Sequence, residues 1–304
     1  MLGALPTYAQ APLPADQQAL LQRALDANRR VDTYQSFLVE GYSEESQSLT
    51  ILDPNGTPLT SSTSTQVTYD LMAILRGANP NGFLAQVIRN DSVEGSTGSQ
   101  YTIQGELRLV DGTLYGAGET VIGSAPYIFA PGFAEIPDPA DAGDLNLFEP
   151  QPFAQLVNGL PQDNPLDDIA TVGPLVASVT TETGVLNSAP VEIITATISA
   201  ANLASFMALQ GDTEANDPTL NVIFAAATPE SQAVLTVYVD QGGNALQTEI
   251  SLTLVVENAD ATQLAPPGEI PAGSTLSANF QMSQRRTYSQ INTLEERVGA
   301  PTIG

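Results

Sequence analysis

The stretch "LTVYVDQGGNALQTEISLTLVVE", residues 235–257, decides how this chain folds. Leu235, Val237 and Val239 alternate with Thr236, Tyr238 and Asp240. Beyond the glycine pair, Leu246, Ile250, Leu252, Leu254 and Val256 keep the two-residue spacing. Successive side chains of a strand point to opposite faces, so this pattern predicts an antiparallel hairpin with one face buried and the other wet.

Similar texture recurs along the chain. "YTIQGELRLVDGTLYGAGE", residues 101–119, reads as a second hairpin turning at Asp111 and Gly112. "GVLNSAPVEIITATIS", residues 184–199, reads as a strand pair around Asn187 and Ser188. "YQSFLVEGY", residues 34–42, reads as one strand, and Pro54, Asn55 and Gly56 mark a turn between the extended arms of residues 49–60. The Ser/Thr-rich piece that follows reads as a further strand, growing more apolar toward Leu75. Strands in sequence joined by short turns imply an antiparallel sheet. The closing stretch from Thr275 reads as an extended arm ending in a tail.

Helices are few. "LPADQQALLQRALDANRRV", residues 13–31, starts with Pro14 and Asp16 and sets Leu20, Leu21, Ala24, Leu25 and Val31 on one stripe. Arg29 and Arg30 close it where cations suit the helix dipole. Three shorter stripes follow: Phe153, Leu156, Val157 and Leu160; Leu203, Phe206 and Met207 after a possible Ser199 cap; and Leu220, Ile223, Phe224 and Ala227 after Asp217 and Pro218. A proline- and acid-rich connector occupies residues 131–152. Within it Asp138 to Glu149 has the length of a calcium loop, but Ala140 and Ala142 stand where oxygen ligands are required, so no metal site is expected.

Composition narrows function by exclusion. The chain has 304 residues, 42% of them hydrophobic and 14% charged, enough for one large packed domain. All nine basic residues are Arg, against 34 acidic ones, for a net charge of −25. Such a surface repels nucleic-acid backbones and anionic membranes. It keeps the protein soluble and leaves room for a cation or a basic partner. Cys, His and Lys are absent, which removes disulfides, thiol and Ser-His-Asp nucleophiles, Schiff bases, Walker lysines and most zinc sites. Paired carboxylates, as in glycoside hydrolases, survive this list. Yet there is no Trp, aromatic residues total 6%, and Glu44 with Glu45 and Asp167 with Asp168 fall in expected loops, where adjacent carboxylates are solvated. No cofactor is expected and the chain reads as a non-enzyme. Thr7, Tyr8 and Ala9 resemble the end of a secretory signal, so residues 1–12 read as a leader remnant and the protein as extracytoplasmic: periplasmic, cell-surface or secreted. No apolar run reaches the roughly 18 residues of a membrane span.

In order, the helix-to-strand passage "LLQRALDANRRVDTYQSFLVEG", the hairpin "GELRLVDGTLYG" and the hairpin "LTVYVDQGGNALQTEISL" resemble the LolA-like superfamily, and within it the LppX/LprG-type lipoproteins. The resemblance spans most of the chain through hairpin order. It implies an α+β fold: a strongly curved antiparallel sheet, an incomplete β-barrel, with helices across its concave face and a lipid-receiving cavity between them. Residues 13–304 then form a single LolA-like domain with insertions near 44–100 and 131–175. The lipobox cysteine of those lipoproteins is missing, so their anchor does not carry over.

The expectation is a monomeric binding protein that carries or senses a lipid or other acylated molecule, with an envelope protein as possible donor or acceptor. The expected lining is Phe153, Leu156, Val157, Leu203, Phe206, Met207, Ile223 and Phe224 from the helices, with Leu107, Leu109, Leu235 and Val237 from the strands. Each buried methylene contributes about 0.8 kcal/mol, so aliphatic and aromatic side chains alone suffice to hold an acyl chain. The alternative is a solidly packed structural or protein-interaction module of the envelope, and a carboxylate-based glycoside hydrolase ranks third.

Overall fold

The computed structural model describes residues 12–76, 83–94, 100–110, 113–122, 125–135, 169–209, 218–264 and 268–293. Its strands are β1 (Ser36–Leu52), β2 (Pro58–Arg76), β3 (Phe83–Glu94), β4 (Gln100–Val110), β5 (Thr113–Ile122), β6 (Ala125–Glu135), β7 (Val176–Leu186), β8 (Ala189–Ser199), β9 (Gln232–Val239), β10 (Ala245–Asp260) and β11 (Thr275–Ser289). They form one eleven-stranded sheet in the order β6-β5-β4-β3-β2-β1-β11-β10-β9-β8-β7. Two meanders, β1–β6 and β7–β11, are thus sewn together where β1 pairs with β11.

Every ladder in this order is antiparallel. Across an odd number of strands the two edges, β6 and β7, therefore run in the same direction. A hairpin cannot join them, because parallel neighbours need a long crossover. The sheet curves but stays open at that seam. The fold is α+β, a curved antiparallel sheet with helices on its concave face, as the sequence predicts.

The helices are α1 (Ala15–Arg30), α2 (Ile169–Val172), α3 (Leu203–Leu209) and α4 (Pro218–Ala225). α1 lies across β7, β8, β9 and β10, with Leu21, Ala24, Leu25 and Ala27 buried and Leu20 and Val31 half-buried. Three polar contacts fix its course. The Gln17 Oε1 accepts the Val179 amide at 3.0 Å on the edge strand β7, Arg23 pairs with Glu192 of β8, and Arg30 Nη1 donates to the Gly242 carbonyl at 2.7 Å. Gly243, at φ +80°, takes the left-handed conformation that favours glycine, and a Cβ there would also make the Arg30 guanidinium shift. α3 packs on β8 and α4, and α4 packs on β10.

Turns follow from side-chain chemistry. Asp240 carries the β9–β10 turn, accepting from the Asn244 amide at 2.8 Å and from Asn244 Nδ2 at 3.0 Å. Asp53 does the same for β1–β2 with the amides of Asn55 and Thr57, both at 2.8 Å. Asn187 and Ser188, at φ 49° and 68°, are the two left-handed positions of a two-residue hairpin between β7 and β8.

Several expectations change. The ladder shifts between Ala245 and Gln247, so Ala245 is buried in the core and Leu246 only half-buried. Ser199 is the last residue of β8 and makes no side-chain cap. The first strand runs past residue 42 to Leu52, and residues 44–52 are half of a ladder with β2 and β11. Glu44 and Glu45 therefore sit on a strand and point to opposite faces, not into a solvated loop. The C-terminal arm is a full strand, β11. Residues 1–11 of the expected 1–12 leader, the calcium-like stretch Asp138–Glu149, the stripe from Phe153 to Leu160 and the pair Asp167–Asp168 lie outside the described residues. Among those described, no helix is long and apolar enough to cross a membrane.

Near the end of α1, Tyr34 packs edge-on against Phe37 (5.9 Å, 76°), and Phe37 against Tyr288 (6.0 Å, 63°). The Tyr34 hydroxyl donates to the Ala245 carbonyl at 3.4 Å. Burial, reinforced by the nearby Asp240 charge, pushes its pKa up to about 12.

Three outcomes follow. Phe206 has no accessible surface, so Phe206→Ala lowers unfolding free energy in a denaturant titration by about 3–5 kcal/mol. Ser188→Gly relieves a left-handed backbone and raises stability by about 1 kcal/mol, read as a higher thermal midpoint. Tyr34 is neutral when folded up to about pH 12 but ionises near its ordinary value of 10.0 when unfolded. Its contribution is complete below pH 10 and disappears as pH rises through 12. Tyr34→Phe flattens that alkaline decline in thermal melts.

Candidate functional site: the concave wall

The registers allow the concave face to be followed strand by strand. One row reads Ile198, Ala233, Leu252, Met282 and Glu45, from β8 across to β1. The next reads Ala196, Leu235, Ile250, Gln284 and Ser43. A third reads Leu254, Phe280, Gln47 and Ser64. In each, aliphatic and aromatic side chains give way to polar ones at β11 or β1. Directly opposed side chains on one face are neighbours about 5 Å apart, so the change is a boundary on a continuous wall.

Burial follows the same boundary. Ile198 and Ala233 are wholly inaccessible and Leu252 and Met282 nearly so, while Leu235, Ile250 and Phe280 touch the core yet keep accessible surface. Glu45, where the first row reaches β1, is half-buried, and among the described residues it makes no hydrogen bond or ion pair. Burial raises its pKa, since loss of water disfavours the charged form. Its strand neighbour Gln47 is committed to β2, donating from Nε2 to Ser64 Oγ at 2.9 Å. Glu44, on the other face, accepts from the Tyr42 hydroxyl at 2.6 Å, and Arg285 lies 5.6 Å from the Tyr42 ring centre. Glu192, the other carboxylate at the concave side of β8, is occupied by Arg23 and Thr181.

The expected lining residues separate into groups. Leu203 and Phe206 of α3 are completely buried core. Met207, Ile223, Phe224, Leu235 and Val237 are half-buried against that core, three on the helices and two on β9. Leu107 and Leu109 hold alternate positions of β4, in the other meander, opposite Ala85 and Phe83 of β3. Phe153, Leu156 and Val157 lie outside the described residues. Glu45 escapes a sequence reading that ends the first strand at residue 42, and Ile250 and Phe280 join the wall only through the register that sets β10 and β11 beside β9 and β1. The signal that reaches Glu45 is the shared parity of positions 45, 47, 49 and 51.

Beside the wall, α1 and α2 leave a half-open groove of about 440 Å³ lined by Pro12, Leu13, Leu21, Ile169, Ala170, Gly173 and Pro174, with Gln18 as its polar member. Gln18 Nε2 is engaged by the Leu13 carbonyl at 2.9 Å, so the groove offers an incoming group mainly apolar contact. Its size falls within the range of small-molecule pockets, about 300–1,000 Å³. Among the described residues no cluster of three acidic side chains is placed to hold a metal.

This is the architecture of an open, helix-covered antiparallel sheet with an amphipathic inner wall. The chain is similar to the crystal structure of LprF from Mycobacterium bovis, a lipoprotein of the type the sequence resembles: 13% identity over 97% of this chain and 100% of that one, with a TM-score of 0.32. It is also similar to a β-barrel-like protein of a domain of unknown function from Brucella abortus, at 10% identity over 83% and 98% of the two chains with a TM-score of 0.23. Both likenesses are distant and transfer no ligand. No family model matches the chain, and no curated protein matches it.

Proposed function

We propose that this protein is a non-enzymatic, extracytoplasmic binding protein that holds a lipid or other acylated amphiphile against its concave wall. The observation that supports the reading is the change from apolar to polar along single rows of that wall, where Ile198, Ala233, Leu252 and Met282 lead to Glu45. A ligand with a hydrocarbon tail and a polar end matches such a row. The tail lies over half-buried Leu235, Val237, Ile250 and Phe280 of the sheet and under Met207, Ile223 and Phe224 of the helices, with the fully buried Leu203 and Phe206 anchoring α3 to the core. At about 0.8 kcal/mol per methylene, a tail of some 15 carbons gains roughly 12 kcal/mol gross, which exceeds the low end of the association cost. The protein acts as a monomer and exchanges its ligand with an envelope partner.

The competing reading is a scaffold or interaction module, and the complete burial of Leu203 and Phe206 favours it. Native mass spectrometry separates the two. Protein purified from its own host carries a co-bound lipid mass and, once delipidated, takes up a fluorescent fatty-acid analogue. Val237→Arg, at a half-buried wall position, lowers that uptake at least tenfold while circular dichroism stays unchanged. A bare mass together with no uptake eliminates the carrier.

A further inference from the structure

We propose that Glu45 is the head-group contact of the wall, selecting amphiphiles whose polar end donates hydrogen bonds, such as a hydroxyl, amide or ammonium, over those ending in a carboxylate or phosphate. The inference rests on the amphiphile reading above and adds the chemistry of the ligand's polar end.

Glu45 stands opposite Met282, beside the row that carries Phe280. A partly desolvated carboxylate is costly unless donors satisfy it, and no described residue donates to it. Nearby Gln47 is taken by Ser64, and Glu44 is on the other face with Tyr42. An ionised carboxylate is an acceptor only, so a donating head group completes it, whereas a second anion at hydrogen-bond distance disfavours two charges at once. Among the described charged residues, Arg286 of β11 belongs to the Gly41 row, four residues along the strand from Glu45, which strand rise makes about 13 Å at the backbone.

The test uses the delipidated full chain at pH 8 and a set of ligands sharing one long alkyl chain but ending in hydroxyl, amide, ammonium or carboxylate. Each competes against an acyl dye. The parent protein prefers the donating heads over the carboxylate by about tenfold or more, as one charge-assisted hydrogen bond provides. Glu45→Gln brings the preference to within about twofold and keeps binding of the alkyl chain, whereas Glu44→Gln, on the opposite face, leaves it intact. If ligands bind and Glu45→Gln retains the full preference, or Glu44→Gln removes it equally, the head-group role is overturned while the amphiphile reading stands. If no ligand of the set displaces the dye or binds, the amphiphile reading fails and this inference fails with it.

Discussion

The ladder between β1 and β11 is the contact on which the architecture depends. It joins the first strand of the chain to the last and makes one sheet of two meanders, each of which is otherwise built from sequence neighbours. Because that ladder is antiparallel like the rest, direction alternates without interruption from edge to edge, and eleven strands leave both edges pointing the same way. With both edges pointing the same way, closing the seam would take a parallel pairing of β6 with β7, unlike every other ladder of the sheet. The β1–β11 pairing also spans nearly the whole chain, a non-local contact of the kind that slows folding.

The covered meander shows how a sheet face acquires two characters. α1, α3 and α4 shield β7 to β10, so the inner positions there are aliphatic and close-packed. At β1 the inner positions 43, 45 and 47 are Ser, Glu and Gln, although 49 and 51 return to Leu and Ile. The polar segment coincides with the place where no described helix lies over the strand, and the side chains there need either water or a ligand. Burial therefore both stabilises the fold and draws the border of the site.

Sequence patterns revealed the elements with one wet and one dry face and concealed the others. The β9–β10 hairpin, the Asn187–Ser188 turn and α1 were legible because alternation or helical spacing was intact. In β1 beyond Gly41, Ser43, Glu45 and Gln47 face inward while Glu44, Ser46 and Ser48 face outward, so both faces are polar and the period of two disappears from hydropathy. For the same reason the adjacent glutamates looked like a loop. β11 kept Phe280, Met282 and Tyr288 in phase, but Gln284 and Arg286 interrupt the series where the wall turns polar. The helical side of the wall was visible in Leu203, Phe206, Ile223 and Phe224. How deeply each would sink was not, since burial depends on which strand lies beneath.

An open sheet carries a hazard that closed barrels escape: its outermost strand presents unpaired peptide groups that invite a neighbouring molecule to add a strand. Here the side chain of Gln17 reaches from α1 to take the Val179 amide, occupying one of those groups within the molecule. The helix that roofs the interior thereby also discourages polymerisation along the rim. The side chain that anchors the roof thus also narrows the stretch of rim on which another chain could be added.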